Sequence, residues 1–350
     1  MLRVLIVGQG LAGSWLAWVL HHRGHQVLIA QDPAIQGASR MAAGLINPIT
    51  GMRWVKTWRA DAALHFCEQS YQSVEAALSM RCYAAKTIMR FLRNATEWEQ
   101  AHKRFNDPEY RAYLGAGWSP GSSGLSVEDP YGGCSILGGA TVRVPLFLDA
   151  IRGFFEAKRL YLPERLDYSA LQILAHGAAY AGDVFDKVIF CEGAQSLSNP
   201  WFPASALKPS QGEILTIRPS AMLFPDDQVL LRQHWLTPWS EGTYRLGATY
   251  SWDLAVGKTL QARDLLLAAF RGFFPHVPVA VVGQDAAIRP NSADTRPILG
   301  FHPQWSALGF MNGLGSKGSL LAPYLAQHLC EVLEDRVELD PEVDMRRFLT

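Results

Sequence analysis

The chain has 350 residues, of which 49% are hydrophobic and 18% charged, so it can bury a sizeable core, which argues against a disordered protein. Its length suggests about two domains, or one large one. Basic and acidic residues number 32 each, which leaves none of the basic surplus expected of a nucleic-acid-binding protein. The five cysteines are odd in number and form no C-x-x-C pair, a pattern that favours reduced thiols over disulfides or a zinc site.

The N-terminal stretch predicts a strand, a glycine turn, a helix and a second strand. LRVLIV (2–7) is typical of a buried parallel strand, and Gly8, Gly10 and Gly13 follow it before a helical pattern and the run HQVLIAQD. Because the glycines interrupt the apolar stretch, we expect neither a signal peptide nor a membrane span, and a cytoplasmic protein. A glycine turn in this context is the fingerprint of a dinucleotide-binding fold, for either NAD or FAD.

Each glycine of this turn has a physical role. The first allows the tight turn, the second lets a pyrophosphate approach the backbone, and the third lets the helix pack against the strand. The helix start, with Leu11 and Ala12, offers N–H groups and the positive end of the helix dipole to the phosphates. An acid that holds the ribose is expected about 20 residues further on. Gln31 occupies that position and Asp32 follows it, and either side chain could hold the ribose.

The segment 36–51 is rich in small residues, which would let a backbone approach a flat, bulky group, although an ordinary loop has the same composition. Within it, GAS-x-x-A-A-G-L (37–45) resembles the flavin-contacting loop of the D-amino-acid oxidase superfamily of FAD enzymes, which includes glycine oxidase and sarcosine oxidase. The resemblance implies FAD as the cofactor. It assigns to FAD binding Ser39, Arg40, Ala43, Gly44 and Leu45.

The middle of the chain predicts helices first and a sheet later. Residues 58–115 have apolar residues at three- and four-residue spacing, which predicts mostly helix. Strands are predicted in 134–144 and a helix in 145–158, whereas 210–253 alternates like an antiparallel sheet and 257–275 is helical. The resemblance implies an α/β fold with a Rossmann-like FAD-binding domain and an α+β substrate domain built on a large antiparallel sheet. The predicted FAD-binding segments are 1–57, 135–209 and 283–350, and the substrate segments are 58–134 and 210–282.

A further strand is predicted in 183–196, where it runs into a turn at Gly193. It resembles the superfamily's second flavin-domain strand, whose glycine lies against the cofactor. Glu192 stands where small or hydroxyl residues are commoner. Because a buried charge is costly, we expect Glu192 to point to solvent or to a partner.

Two C-terminal segments, 286–300 and 310–329, extend the resemblance. The first fits the pattern R-P-x-x-x-D-x-x-P-x-x-G, and the second has a glycine-rich turn before a predicted helix. In the superfamily this turn lies against the flavin ring, where N–H groups at a helix N-terminus stabilise negative charge. The sequence GLGSKG (313–318) most resembles that of the oxidase half of a bifunctional tRNA wobble-uridine enzyme. The residues assigned to FAD here are Gly313, Gly315, Ser316, Lys317, Gly318 and Ser319.

The candidate substrate residues come from the same resemblance. In glycine-oxidase-like relatives the arginine at Arg289 clamps the substrate carboxylate, because a guanidinium matches a carboxylate with two parallel hydrogen bonds. The alternative is an ion pair with Asp285 or Asp294. Tyr250 and Trp235 match positions that line the substrate pocket, and the alternative for both is plain core packing.

Lys317 is the candidate on the oxygen side, because a basic residue near the flavin helps oxygen accept electrons in several relatives; the alternative is a solvated turn residue. His234 falls on the opposite strand face from Trp235 and is expected to be structural. The histidines have no ligand spacing with cysteines or acids, so no metal is expected. No cysteine lies between residues 286 and 325, which favours non-covalent FAD.

The resemblance implies an FAD-dependent oxidase or dehydrogenase that oxidises a C–N bond of an amino acid or secondary amine. Hydride would pass to flavin N5, water would hydrolyse the imine, and oxygen or another acceptor would reoxidise the flavin. Two other classes stay open: a tRNA wobble-uridine-modifying oxidase and a non-enzymatic flavin-binding protein. The zero net charge argues against a nucleic-acid partner, whereas the GLGSKG sequence favours a tRNA-modifying oxidase.

Overall fold

The computed structural model describes residues 1–254 and 257–349. The predicted domain ranges also include Ala255, Val256 and Thr350, which lie outside the described residues. The strands form two large sheets and two small ones. The helices are α1 (Leu11–His22), α2 (Ala38–Met41), α3 (Ala60–Leu78), α4 (Glu97–Phe105), α5 (Val144–Ala157), α6 (Leu260–Arg271) and α7 (Gly318–Leu333). The strands are β1 (Arg3–Val7), β2 (Gln26–Ala30), β3 (Leu45–Ile46), β4 (Ile49–Thr50), β5 (Val55–Lys56), β6 (Tyr83–Phe91), β7 (Leu114–Trp118), β8 (Gly133–Val142), β9 (Tyr161–Leu162), β10 (Gln172–Leu174), β11 (Gly177–Tyr180), β12 (Asp183–Phe185), β13 (Lys187–Phe190), β14 (Ser210–Pro219), β15 (Gln228–Leu231), β16 (Trp235–Pro238), β17 (Tyr244–Gly247), β18 (Val279–Arg289), β19 (Ile298–Phe301) and β20 (Leu308–Asn312).

The first large sheet has six strands in the order β19-β20-β13-β1-β2-β9, and every pairing except that of β19 is parallel. β1 takes the centre because its residues Val4, Leu5 and Ile6 are apolar and fully buried. A Cβ on Gly13 would overlap the carbonyl oxygen of Gly8, so only a glycine lets α1 lie this close to the strand. The predicted strand–turn–helix–strand unit is confirmed.

The second large sheet has nine strands in the order β18-β14-β17-β16-β15-β6-β8-β3, with β7 also on β8. Its pairings are antiparallel except that of β15 with β6. Residues Leu266 and Phe270 of α6 pack on one face against Leu215 and Leu246. The α/β class with a large antiparallel sheet is therefore confirmed.

The segment predicted as mostly helical, 58–115, contains a central strand. Helices α3 and α4 form, but residues 83–91 between them are β6, which pairs with both β15 and β8. The prediction of helix was wrong here because the C-terminal half of β6 is buried on both faces. Ile88 lies in one core cluster and Met89 and Phe91 in another, so the strand lacks the polar alternation that would have identified it.

The nine-stranded sheet extends beyond the predicted substrate segments. Its strands β8 and β18 begin at Gly133 and Val279, and both run on into ranges assigned to the FAD-binding domain. The division of the chain into two domains stays a prediction. Among the described residues, no helix combines the length and apolar character needed to cross a membrane.

Candidate active site

A cavity of about 500 Å³ is lined by residues from both large sheets. From the six-stranded sheet it takes the residues that follow β1, β2 and β13, which meet at the carboxyl edge of that sheet. The nine-stranded sheet contributes Ile214, Trp235 and Arg289. The carboxyl edge of a parallel sheet is where such folds bind ligands, and the volume is that of a small-molecule site.

The glycine turn after β1 forms one wall of the cavity. Gly8 has φ +102°, and a Cβ there would lie 2.6 Å from the carbonyl oxygen of Cys191. A Cβ on Gly10 would meet only the side chain of Ser39 within 4 Å among the described residues, at 3.1 Å from Oγ. Gly10 is also the N-cap of α1 and has no side-chain cap. The open space beside Gly10 and the start of α1 thus leave room for an anion at the helix N-terminus.

The loop between β2 and β3 forms the adjoining wall. A Cβ on Gly44, whose φ is +70°, would overlap the carbonyl oxygen of Val142, so the loop needs a glycine to lie against β8. The Oγ of Ser39 accepts a hydrogen bond from the Leu11 N–H at 3.1 Å, and Arg40 forms an ion pair with Asp149. Five residues predicted from this loop line the cavity: Ser39, Arg40, Ala43, Gly44 and Leu45.

Arg289, the last residue of β18, brings a guanidinium to the opposite side of the cavity. Its Nη1 donates to the Gln211 carbonyl at 3.4 Å and its Nη2 to the Thr249 carbonyl at 3.2 Å. No carboxylate of the described residues lies within 4 Å of it. Burial lowers the pKa of Arg289, but a guanidinium still stays protonated. The cavity wall therefore contains a partly buried cation that has no acidic partner among the described residues.

The two acids that could have paired with this cation are engaged elsewhere. Asp285 binds Arg245 at 2.5 Å, and Asp294 binds Arg347 at 2.7 Å. Within residues 1–254 and 257–349, an ion pair thus does not explain the position of the Arg289 guanidinium.

Of the two aromatic residues predicted to line the substrate pocket, one lines the cavity and one does not. Trp235 lines the cavity, and a Cβ on its neighbour Gly247 would come within 2.8 Å of the indole ring. Tyr250 is 57% exposed and is not part of the lining, but its ring centroid lies 5.7 Å from the guanidinium carbon of Arg289. His234 is buried and its Nδ1 lies 3.2 Å from the Ala248 carbonyl oxygen. That contact fits the structural role predicted for it.

The glycine-rich turn before α7 reaches the cavity through part of its residues. Gly315, Ser316, Gly318 and Ser319 line it, whereas Gly313 and Lys317 do not. Gly13, predicted to bind FAD from the first glycine motif, does not line the cavity either. Lys317 is the N-cap of α7, and burial and the charge of Arg296 lower the pKa of its amine. An oxygen-side role for Lys317 stays a prediction.

Comparison with known proteins decides the family. Residues 3–332 match the family model described as FAD dependent oxidoreductase. The chain belongs to the FAD-dependent oxidoreductase (DAO) family. The oxidoreductase is thus an FAD protein, as the resemblance implied. The family match covers nearly the whole chain, including the elements that line the cavity described above.

Similar proteins of the family include enzymes for small amino acids and for a tRNA. The fold matches glycine oxidase from Geobacillus kaustophilus with a TM-score of 0.83 at 19% identity over 98% of both chains. It matches iminodiacetate oxidase from Chelativorans sp. BNC1 with a TM-score of 0.79 at 21% identity over 97% of both chains. The tRNA 5-methylaminomethyl-2-thiouridine biosynthesis bifunctional protein of Acinetobacter baylyi is 22% identical over 98% of this chain. The chain spans only 55% of that relative's length.

The residues of the oxidoreductase fit FAD. Any side chain at position 10 would fill the space beside the start of α1, and the cavity continues from there to Arg289. Gln31, at the usual ribose position, is already engaged: its Oε1 accepts from the Gln9 N–H at 2.7 Å and its Nε2 donates to the Asp32 carbonyl at 2.6 Å. Asp32 uses one carboxylate oxygen to accept from the Ala34 N–H at 2.9 Å. Its other oxygen has no partner among the described residues.

Sequence reasoning missed several residues of the cavity wall. Most of them come from α5, from the segment before β10 and from β14, far from the glycine motifs, so no local pattern marks them. Gln9 and Asn312 adjoin motif glycines, but the glycine pattern does not specify their side chains. Arg152 donates to the Gln9 side chain at 3.2 Å, which places a second cation beside the glycine turn. The wall residues without a sequence signal include Gln9, Leu148, Arg152, Arg165, Tyr168, Gln211 and Asn312.

Glu192 lies in the cavity wall next to Gly8. It has the partners that we expected as one alternative: the Tyr168 hydroxyl donates to it at 2.6 Å and the Asn199 amide at 2.7 Å. Burial raises the pKa of Glu192, and these two hydrogen bonds and the charge of Arg165 offset only part of the rise. A carboxyl group thus lies in the wall where the FAD phosphates are expected.

We expect FAD affinity to fall as pH rises through the pKa of Glu192. The protonated carboxyl group is neutral, whereas the carboxylate repels the phosphates, so binding of FAD favours the protonated form. FAD titrations between pH 5 and 9, followed by flavin fluorescence, should show this slope in the wild type and a flat profile in Glu192→Gln. Glu164→Gln, which alters a carboxyl–tyrosine pair with Tyr180 outside the cavity, serves as the matched control. The same slope in Glu192→Gln would contradict the assignment.

One cluster outside the cavity has the composition of a metal site. Ligand atoms of His25, Cys330 and Glu334 lie within 4.8 Å of one another. Glu334, however, carries salt bridges to Arg23 and to Arg336, the latter at 3.0 Å. Two guanidinium groups on one carboxylate repel a divalent cation, so the contacts describe an ion-pair cluster between α1 and α7. The expected absence of a metal stays a prediction.

Proposed function

We propose that the oxidoreductase oxidises a C–N bond of an amino acid or of a secondary amine that carries a carboxylate. The observation that carries this proposal is Arg289, a partly buried cation in the same cavity as the glycine turn, for which the described residues offer no acidic partner. An amine substrate with a carboxylate would neutralise this cation and leave its nitrogen-bearing carbon free to reach the flavin. FAD, when bound, supplies the acceptor for the hydride.

The residues of the chain have separate roles in this proposal. Arg289 holds the carboxylate by two parallel hydrogen bonds, and Trp235 forms an apolar wall that excludes water. Gly10 and the start of α1 hold the phosphates, and the unpartnered oxygen of Asp32 supports its role in holding the ribose. Lys317 is proposed to assist reoxidation by oxygen. No base is assigned, because a neutral amine needs no proton removed from carbon before hydride transfer.

A second candidate function is oxidation of a modified uridine in tRNA. It is favoured by the Acinetobacter baylyi relative, which is 22% identical over 98% of this chain. The equal numbers of basic and acidic residues argue against it.

The visible spectrum tests both candidates. Purified protein is kept anaerobic while glycine, sarcosine, iminodiacetate and larger amino acids are added singly. We expect flavin bands that bleach with at least one amine carrying a carboxylate and not with the matching amine that lacks it. Bleaching only by tRNA that carries a carboxymethylaminomethyl uridine would favour the second function. A protein that shows no flavin bands after reconstitution with FAD would contradict both.

A further inference from the structure

Asn291 follows Pro290 of the cavity wall and links the end of β18 to the start of β14. It lies two residues after Arg289, and its Nδ2 donates to the Ser210 hydroxyl at 2.7 Å and to the Tyr250 hydroxyl at 3.3 Å. Its carbonyl accepts from the Lys208 N–H at 2.7 Å. Tyr250 in turn stacks near the guanidinium of Arg289. The Asn291 amide thus holds the Tyr250 ring beside Arg289 and ties the end of β18, which carries Arg289, to the start of β14.

Asn291 also touches the glycine-rich turn before α7. It forms an antiparallel bridge with Leu314, and the Gly315 N–H donates to the carbonyl of the adjacent Pro290 at 3.2 Å. A Cβ on Gly315 would lie 2.8 Å from the side-chain oxygen of Asn291. The turn and the amide are therefore packed without a gap.

We propose that Asn291 is a positioning residue that fixes the position of the Arg289 guanidinium relative to the glycine-rich turn of residues 313–318. It acts through the Tyr250 hydroxyl on one side and through Gly315 on the other. The inference rests on the proposed function, because the relative position of Arg289 and the turn matters only if Arg289 holds the substrate while the turn lies against the flavin. An asparagine suits the role because its amide offers N–H donors and one acceptor oxygen without adding a charge beside the cation.

A double-mutant cycle on the FAD-loaded enzyme tests the inference. The variants are Asn291→Ala, Tyr250→Phe and the pair, assayed with the best carboxylate-bearing amine found in the anaerobic screen. We expect Asn291→Ala to raise KM about tenfold, the effect of about 1.4 kcal/mol in lost hydrogen bonds, and to change kcat by less than about threefold. Because both changes act on one hydrogen bond, the pair should be no worse than Asn291→Ala alone.

Asn94→Ala is the matched control, since Asn94 also makes side-chain hydrogen bonds but lies outside the cavity wall. It should leave KM unchanged. If Asn291→Ala does not fold, Tyr250→Phe still decides, because loss of the exposed hydroxyl alone should raise KM about threefold. An unchanged KM in Tyr250→Phe, additive effects in the pair, or a fall in kcat at constant KM would overturn the inference.

The Arg289→Ala variant separates this inference from the function on which it rests. A rise in KM for Arg289→Ala without one for Asn291→Ala overturns the positioning role and keeps the proposed function. An unchanged KM in Arg289→Ala overturns both.

Discussion

Replacement of Gly10 by valine should yield a folded, colourless protein. The backbone at Gly10 has φ −81° and ψ −166°, which a valine adopts without strain, and a Cβ there meets only Ser39 nearby. The Ser39 side chain would have to shift by a few tenths of an ångström, and the isopropyl group would then occupy the space beside the N-terminus of α1. We expect FAD affinity to fall at least a hundredfold, about 2.7 kcal/mol, measured by flavin fluorescence on titration.

Gly153→Val provides the matched control for this change. Gly153 lies on α5, and a Cβ there meets nothing within 4 Å. This variant should stay yellow, and circular dichroism should show equal folding of both proteins. A yellow Gly10→Val protein with wild-type FAD affinity would refute the placement of the phosphates at this turn.

Replacement of Arg289 by alanine should weaken binding of carboxylate substrates far more than binding of FAD. The guanidinium makes long hydrogen bonds to two carbonyl oxygens and has no acid partner in the described part of the chain, so a carboxylate would be its main charged ligand. We expect KM to rise about a hundredfold, the effect of about 2.7 kcal/mol in charge-assisted hydrogen bonds. Steady-state assays and flavin absorbance measure the two affinities.

Two further variants make this result specific. Arg289→Lys keeps the charge but loses the paired donors, so its KM should lie between those of the wild type and Arg289→Ala. Arg263→Ala removes an exposed arginine of α6 and should leave KM unchanged. Loss of FAD from Arg289→Ala, with no effect on KM in the protein reconstituted with FAD, would show instead that Arg289 supports the fold.

The residues of the glycine motifs could be located from sequence because their roles depend on the backbone nearby. Gly8 and Gly44 need a positive φ, and Gly13 needs a bare Cα against the strand, and such requirements leave a local signature. Strand β6 could not be located in this way. Its residues Ile88 and Met89 belong to different cores, and that distribution depends on strands far away in the chain.

The glycine motifs by themselves predicted a dinucleotide-binding turn for NAD or FAD, because short motifs and their spacing carry that information. The resemblance of these motifs implied FAD and the family, which the family match confirms, and it pointed to Arg289, which lines the cavity. The tertiary structure decided which of these residues meet. Gln31 accepts a hydrogen bond from the glycine turn, whereas one carboxylate oxygen of Asp32 has no partner among the described residues. Asp285 forms its ion pair with Arg245 rather than with Arg289. Hydrogen bonds and ion pairs form between residues that are distant in the chain. Their partners follow from the packing of the two sheets, which no local pattern records.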